Sequence, residues 1–98
     1  MPEYFKIGKF AASYGLHGEL VLQHSLGKKT SLKGLEVIYI EEQKDNFLPY
    51  FIEKASIKSD AETYLKLEGI DTKEVARKLT PKEAWLEEAD FKKFAAKA

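Results

Sequence analysis

A small antiparallel β-barrel with one short helix is the fold class that this sequence predicts, on three observations. Five or six apolar stretches of strand length alternate with turn-rich segments along the chain. Within the strand-rich part, the stretch near residues 72–79 changes to helical spacing. The run Val37-Ile38-Tyr39-Ile40 is apolar enough that an open sheet edge there would invite pairing with other chains, and closing the sheet removes the edge. At 98 residues the chain is expected to form one domain.

The elements follow in order. Tyr4–Ala12 reads as the first strand, and Ser13-Tyr14-Gly15 opens a turn. Glu19–His24 reads as the second, with Leu20 and Leu22 alternating against Val21 and Gln23. Ser25–Gly34 is polar, carries Lys28, Lys29 and Lys33, and reads as a loop. Leu35–Glu41 is the clearest strand. Glu42–Asn46 is a charged hairpin loop, and Phe47–Ser59 returns as a long strand. Pro49 stands near its start, where a missing N–H is tolerated. After Ser59-Asp60-Ala61 the chain turns into Thr63–Leu67. Asp71 then reads as an N-cap with Glu74 completing a capping box, and Ile70 and Val75 form a hydrophobic staple. The helix Thr72–Leu79 ends at Thr80-Pro81, and Ala84-Trp85-Leu86 closes the sheet. Glu87–Ala98 is rich in alanine and lysine, with Phe91, Phe94, Ala95 and Ala98 at helical spacing. It reads as a docking helix, the start of a linker or an engineered extension.

Composition excludes several classes. With no cysteine there is no disulfide, no thiolate nucleophile and no cysteine-bound zinc. This fits a cytoplasmic protein. No apolar run reaches the ~18 residues of a membrane span, so no membrane partner is expected. Net charge is zero, so charge alone does not drive a grip on nucleic acid. The charge is uneven, however. Residues 1–34 hold five lysines against Glu3 and Glu19, whereas residues 35–98 are net acidic.

The most informative stretch joins Ile7-Gly8-Lys9-Phe10 to Tyr14-Gly15-Leu16-His17-Gly18-Glu19-Leu20-Val21. Two strands flank a Gly-x-x-Gly turn whose glycines permit backbone angles closed to other residues. A rigid loop on a β scaffold is a place where binding residues sit. The candidate binding residues are Tyr14, Gly15, Leu16, His17 and Gly18, with Lys9, Lys28, Lys29 and Lys33 steering approach to RNA. The turn also resembles the Gly-x-x-Gly backbone clamp of one class of RNA-binding domains, but those loops join helices. His17 and His24 match no common metal spacing, adjacent acids such as Glu41-Glu42 and Glu87-Glu88 point to opposite faces of a strand, and no serine has a histidine partner that sequence can place. Neither a catalytic residue nor a metal, cofactor or small-molecule substrate is expected. The many aromatic residues read as core or cross-strand pairs, with Tyr14 the exception that faces outward.

Two blocks carry a family resemblance. The first is Ile7-Gly8-Lys9-Phe10 with Tyr14-Gly15-Leu16-His17-Gly18-Glu19-Leu20. The second is Leu65-Lys66-Leu67-Glu68-Gly69-Ile70-Asp71 with Glu74-Val75-Ala76 and Leu79. In order and separation they resemble the N-terminal domain of the bacterial ribosome maturation factor family RimM, over about residues 4–88. The resemblance implies a six-stranded β-barrel like one found in translation factors, spanning residues 1–88, with 89–98 as a tail or linker. It implies a non-enzymatic role in late maturation of the small (30S) subunit and in 16S rRNA processing. The implied partners are the subunit head, the nineteenth small-subunit ribosomal protein and 16S rRNA. In the family a second, PRC-type barrel follows, and this chain stops before it. A free-standing RNA-binding β-barrel is the alternative reading.

Overall fold

The computed structural model of the chain describes residues 3–94. In chain order the elements are β1 (Tyr4–Tyr14), β2 (Glu19–His24), β3 (Val37–Gln43), β4 (Asn46–Ser59), β5 (Glu62–Leu67), α1 (Lys73–Arg77), β6 (Glu83–Glu87) and α2 (Glu88–Phe94). The six strands close into a barrel in the order β1-β2-β5-β4-β3-β6, and every neighbouring pair is antiparallel. The expected closure is therefore present, and the apolar β3 lies between β4 and β6 rather than on an edge.

Strand alternation sets the core. Along β5, Thr63, Leu65 and Leu67 are buried while Glu62, Tyr64 and Lys66 are half-buried on the outer face. Ile38 and Ile40 of β3 and Ala84 and Leu86 of β6 point inward in the same way. Phe10 is wholly sealed among them. The Ser25–Glu36 connection adds Leu26, Leu32 and Leu35 to this core, and α1 and the turn after it add Ala76 and Leu79. Leu32 takes a left-handed backbone (φ 58°) to bury its side chain, and its N–H donates to Thr30 Oγ1 at 2.9 Å. That local bond offsets part of the strain.

Boundaries moved where tertiary contacts outweigh local preference. β1 runs on to Tyr14, beyond the expected Ala12, because β2 pairs with it up to Tyr14↔Glu19. A bulge between Phe10 and Ala12 bends the strand as it does so. β3 starts at Val37, not Leu35, and extends to Gln43, so the hairpin loop shrinks to Lys44-Asp45 with Asp45 at φ 64°. The helix is shorter than Thr72–Leu79. Its N-cap is Thr72, whose Oγ1 accepts from Val75 N–H at 3.2 Å. Asp71 does not cap it, because Lys66 takes that carboxylate at 2.8 Å. Beyond Arg77 the chain continues in i+3 turns, with Lys78, Leu79 and Thr80 bonding to the carbonyls three residues before them.

Half of the aromatic residues pair across strands on the outside of the barrel. Tyr4 stacks on Phe47 at 4.5 Å and meets Tyr39 at 4.8 Å, and Trp85 touches Phe47 edge-on at 4.9 Å. The Tyr39 hydroxyl donates to the Glu87 carboxylate. That hydrogen bond, with burial second, pushes the Tyr39 pKa up from 10.0 to about 12. The stability it gives is complete below the unfolded value near 10 and is lost as pH rises toward 12. Urea unfolding should therefore show stability falling across this window, and falling less in Tyr39→Phe. Equal slopes in the two proteins would remove Tyr39 as the cause.

α2 forms the first part of the segment expected as a tail. Phe91 stacks on Phe5 at 4.8 Å, and Phe94 is buried against the core cluster. Over residues 88–94 the segment is a docked helix. Ala95 and Ala98, expected on the same face, lie outside the described residues.

Candidate functional site

β1 and β2 end in a four-residue turn, Gly15-Leu16-His17-Gly18, closed by the Tyr14↔Glu19 pair. Both glycines hold the positive φ that the turn requires, 69° at Gly15 and 86° at Gly18. Their surroundings differ sharply. A Cβ on Gly15 would project into open space. A Cβ on Gly18 would stand 2.1 Å from the Ile70 carbonyl oxygen, so at Gly18 the turn rests directly on the backbone that leads into α1. The same Ile70 oxygen accepts from Lys66 Nζ at 2.6 Å.

Lys66 is the hub beneath the turn. Besides Ile70, its ammonium reaches the Leu67 carbonyl at 3.1 Å, Asp71 at 2.8 Å and Glu53 at 3.2 Å. Burial works against its charge, but the bonds to Asp71 and Glu53 outweigh burial and hold its pKa above the ordinary lysine value. The ammonium thus ties β4, β5 and the Ile70-Asp71 backbone into one rigid base. Lys66→Met should lower stability by about 1–2 kcal/mol, because the Ile70 carbonyl oxygen loses its donor, whereas that of Leu67 still accepts from Ile70 N–H at 3.2 Å. Chemical denaturation reads this directly, and an unchanged midpoint would remove Lys66 from this role. Lys66 belongs to the second sequence block, but nothing in its alternation with Leu65 and Leu67 shows that four acceptors converge on it.

On top of this base the turn presents an apolar tip. Leu16 is 73% exposed and Tyr14 48% exposed. The Tyr14 ring packs on Tyr64 at 4.6 Å, which fixes one of its faces and leaves the other to solvent. His17 is exposed beside Leu16. Tyr64 is the further member that sequence reading missed as part of this surface, since only the β2–β5 register places it beside Tyr14.

The lysines do not join the turn. The β1–β2 register sets Lys9 opposite Gln23 and Gly8 opposite His24, at the far end of the hairpin from Tyr14↔Glu19. The five strand steps from Glu19 to His24 span about 17 Å. Lys28 and Lys29 follow His24 and lie at that same distant end. Lys33 is exposed on the Leu32–Leu35 turn. The turn and these lysines therefore occupy separate surfaces, because the extended β2 carries the chain away from the turn. His24 is buried, with Nδ1 accepting from Leu26 N–H at 3.3 Å, and burial lowers its pKa.

Similarity to known proteins agrees with this architecture. Residues 5–91 match the family model described as the RimM N-terminal domain. The chain is 37% identical over 84 residues to the ribosome maturation factor RimM of Bacteroides thetaiotaomicron, covering 85% of this chain and 45% of that one. It is likewise 37% identical to that of Parabacteroides distasonis, covering 85% and 47%. The chain thus spans about half the length of the curated relatives it matches. The solution structure of the N-terminal domain of RimM from Thermus thermophilus superposes with a TM-score of 0.70 at 25% identity, covering 90% of this chain and 93% of that one. A crystal structure of a Pseudomonas aeruginosa RimM shares the fold at a TM-score of 0.71 and 19% identity, covering 89% of this chain and 52% of that chain. With a family model spanning nearly all the described residues and the same barrel in a solved N-terminal domain, this chain belongs to the RimM N-terminal domain family.

Proposed function

We propose that this chain is the barrel module of a cytoplasmic ribosome assembly factor that assists late maturation of the small subunit and its 16S rRNA. It works by binding the subunit head, at the nineteenth small-subunit ribosomal protein with 16S rRNA alongside, and catalyses no reaction. The barrel carries the contact. The observation that carries this reading is the rigid turn with an exposed tip: Leu16 and Tyr14 stand out from a backbone held by Gly18, Ile70 and Lys66. An apolar tip on a pre-ordered backbone loses little entropy on docking, so it suits recognition. Its relatives' name, ribosome maturation factor, supplies the kind of partner.

The mechanism is selective holding. A factor that binds the correctly folded head more tightly than misfolded forms shifts the population toward that fold. Co-sedimentation of the chain with purified small and large ribosomal subunits tests the reading. Retention by small subunits alone is expected. Equal retention by both, or by neither, would overturn it.

A further inference from the structure

The end of the barrel opposite the turn holds a second surface, separate from the one just assigned. Two clefts of about 390 and 500 Å³ adjoin there and share His24, Ser25 and Ala61 as a common wall. Lys6 and Lys9 line one, and Lys28 and Lys29 line the other. Against these four lysines stand two carboxylates, Glu83 and Asp60. Glu83 is taken by Lys6 at 2.8 Å. Asp60 meets Lys29 at 3.6 Å with its side chain 92% exposed, a loose surface pair that another anion displaces readily. Lys9 and Lys28 have no ion-pair partner among the described residues. In a chain of zero net charge, a local surplus of lysines around a concave surface is a specific feature rather than a general basicity.

Two further observations mark the place. Gly8 forms part of the cleft because β1 and β2 approach so closely that a Cβ there would lie 1.9 Å from the Gln23 carbonyl oxygen. The wall residue His24 is buried, its Nδ1 accepts from Leu26 N–H, and its Nε2 is sealed without any partner among the described residues. Since Nδ1 accepts, the ring proton belongs on Nε2, so a residue lining both clefts carries a buried donor without a partner among the described residues.

We infer that this paired cleft binds the phosphodiester backbone of a single-stranded or looped RNA, with Lys9 and Lys28 making the principal phosphate contacts and Lys6 and Lys29 flanking them. The module then touches a ribonucleoprotein at two ends, an apolar tip at one and RNA phosphates about a barrel length away. Backbone contacts of this kind position without reading sequence.

The test is fluorescence anisotropy of a short, labelled single-stranded RNA of mixed sequence, titrated with the full chain between about 50 and 200 mM salt. Binding should weaken as salt rises. The Lys9→Ala/Lys28→Ala double variant should bind at least about tenfold more weakly at low salt, with a salt slope shallower by about 0.7 for each lysine removed. Lys44→Ala/Lys54→Ala, which removes two exposed lysines that line neither cleft, should stay within about twofold of wild type. Wild-type affinity in the Lys9/Lys28 variant, equal loss in the Lys44/Lys54 variant, or no RNA bound at low salt would overturn the inference. Inorganic phosphate that shifts the His24 and Ala61 amide resonances while RNA does not would identify a free-anion site instead, and overturn it too.

Discussion

Gly18→Ala is expected to destabilise the fold by at least about 3 kcal/mol, whereas Gly15→Ala should lose only about 1 kcal/mol. The two glycines share a positive φ, so backbone strain is common to both. What separates them is space. The new methyl at Gly15 enters solvent, while at Gly18 it lands 2.1 Å from the Ile70 carbonyl oxygen and 2.7 Å from its carbon. Backbone cannot rotate away as a side chain does. Either the hairpin lifts off or Ile70-Asp71 shifts and pulls its oxygen from Lys66, and both lose buried contacts. For a domain of this size ~1 kcal/mol corresponds to roughly 4–8 °C in Tm. Thermal melts of the two variants should therefore differ by more than about 8 °C. Similar melting temperatures would mean that the turn does not rest on Ile70.

Gly8→Ala is the second large effect, and it has a different origin. Gly8 needs no unusual φ; it needs the absence of a side chain. It pairs on one side with His24 and on the other with Ala84, where the β1–β6 register also slips. A Cβ would lie 1.9 Å from the Gln23 carbonyl oxygen and 2.7 Å from the His24 Cα. The strands must separate to admit it, at a loss of about 3 kcal/mol or more, since backbone hydrogen bonds and core packing go together. Denaturant titration should show a lower midpoint. Amide hydrogen exchange should quicken first along β2, whose pairing with β1 the methyl disrupts. A midpoint within about 0.5 kcal/mol of wild type would show that the strand approach is looser than described.

Much of the fold was legible because strands announce themselves by period. Ile38 and Ile40 alternate with Val37 and Tyr39, and inward and outward faces follow. The capping residue was not legible in the same way. Asp71 and Thr72 are both good caps by type, and the choice fell to Thr72 because Lys66, five residues upstream, claims the Asp71 carboxylate. Only the folded backbone brings that lysine close. The turn itself could be located from Gly15 and Gly18, since both ends of such a turn require left-handed backbone. Their inequality could not, because the space beside Gly18 is filled by Ile70, more than fifty residues away in the chain. The place of the lysines was not legible either. Lys9, Lys28 and Lys29 stand at the end of the barrel opposite the turn, and only the β1–β2 register shows it. His24 carried no sequence signal for its place in that second surface, because burial and the Leu26 bond arise only once the connection folds over the barrel.

The most direct measurement is the affinity of the chain for purified small ribosomal subunits, compared between wild type and the Tyr14→Ala/Leu16→Ala double variant, with melting curves for both. Tyr14 and Leu16 are exposed, so their loss should leave the melting temperature within a few degrees of wild type. If the rigid turn is the recognition element, the double variant binds at least about tenfold more weakly, equivalent to ~1.4 kcal/mol. Undiminished affinity in a variant that melts like wild type would contradict a recognition role for the turn.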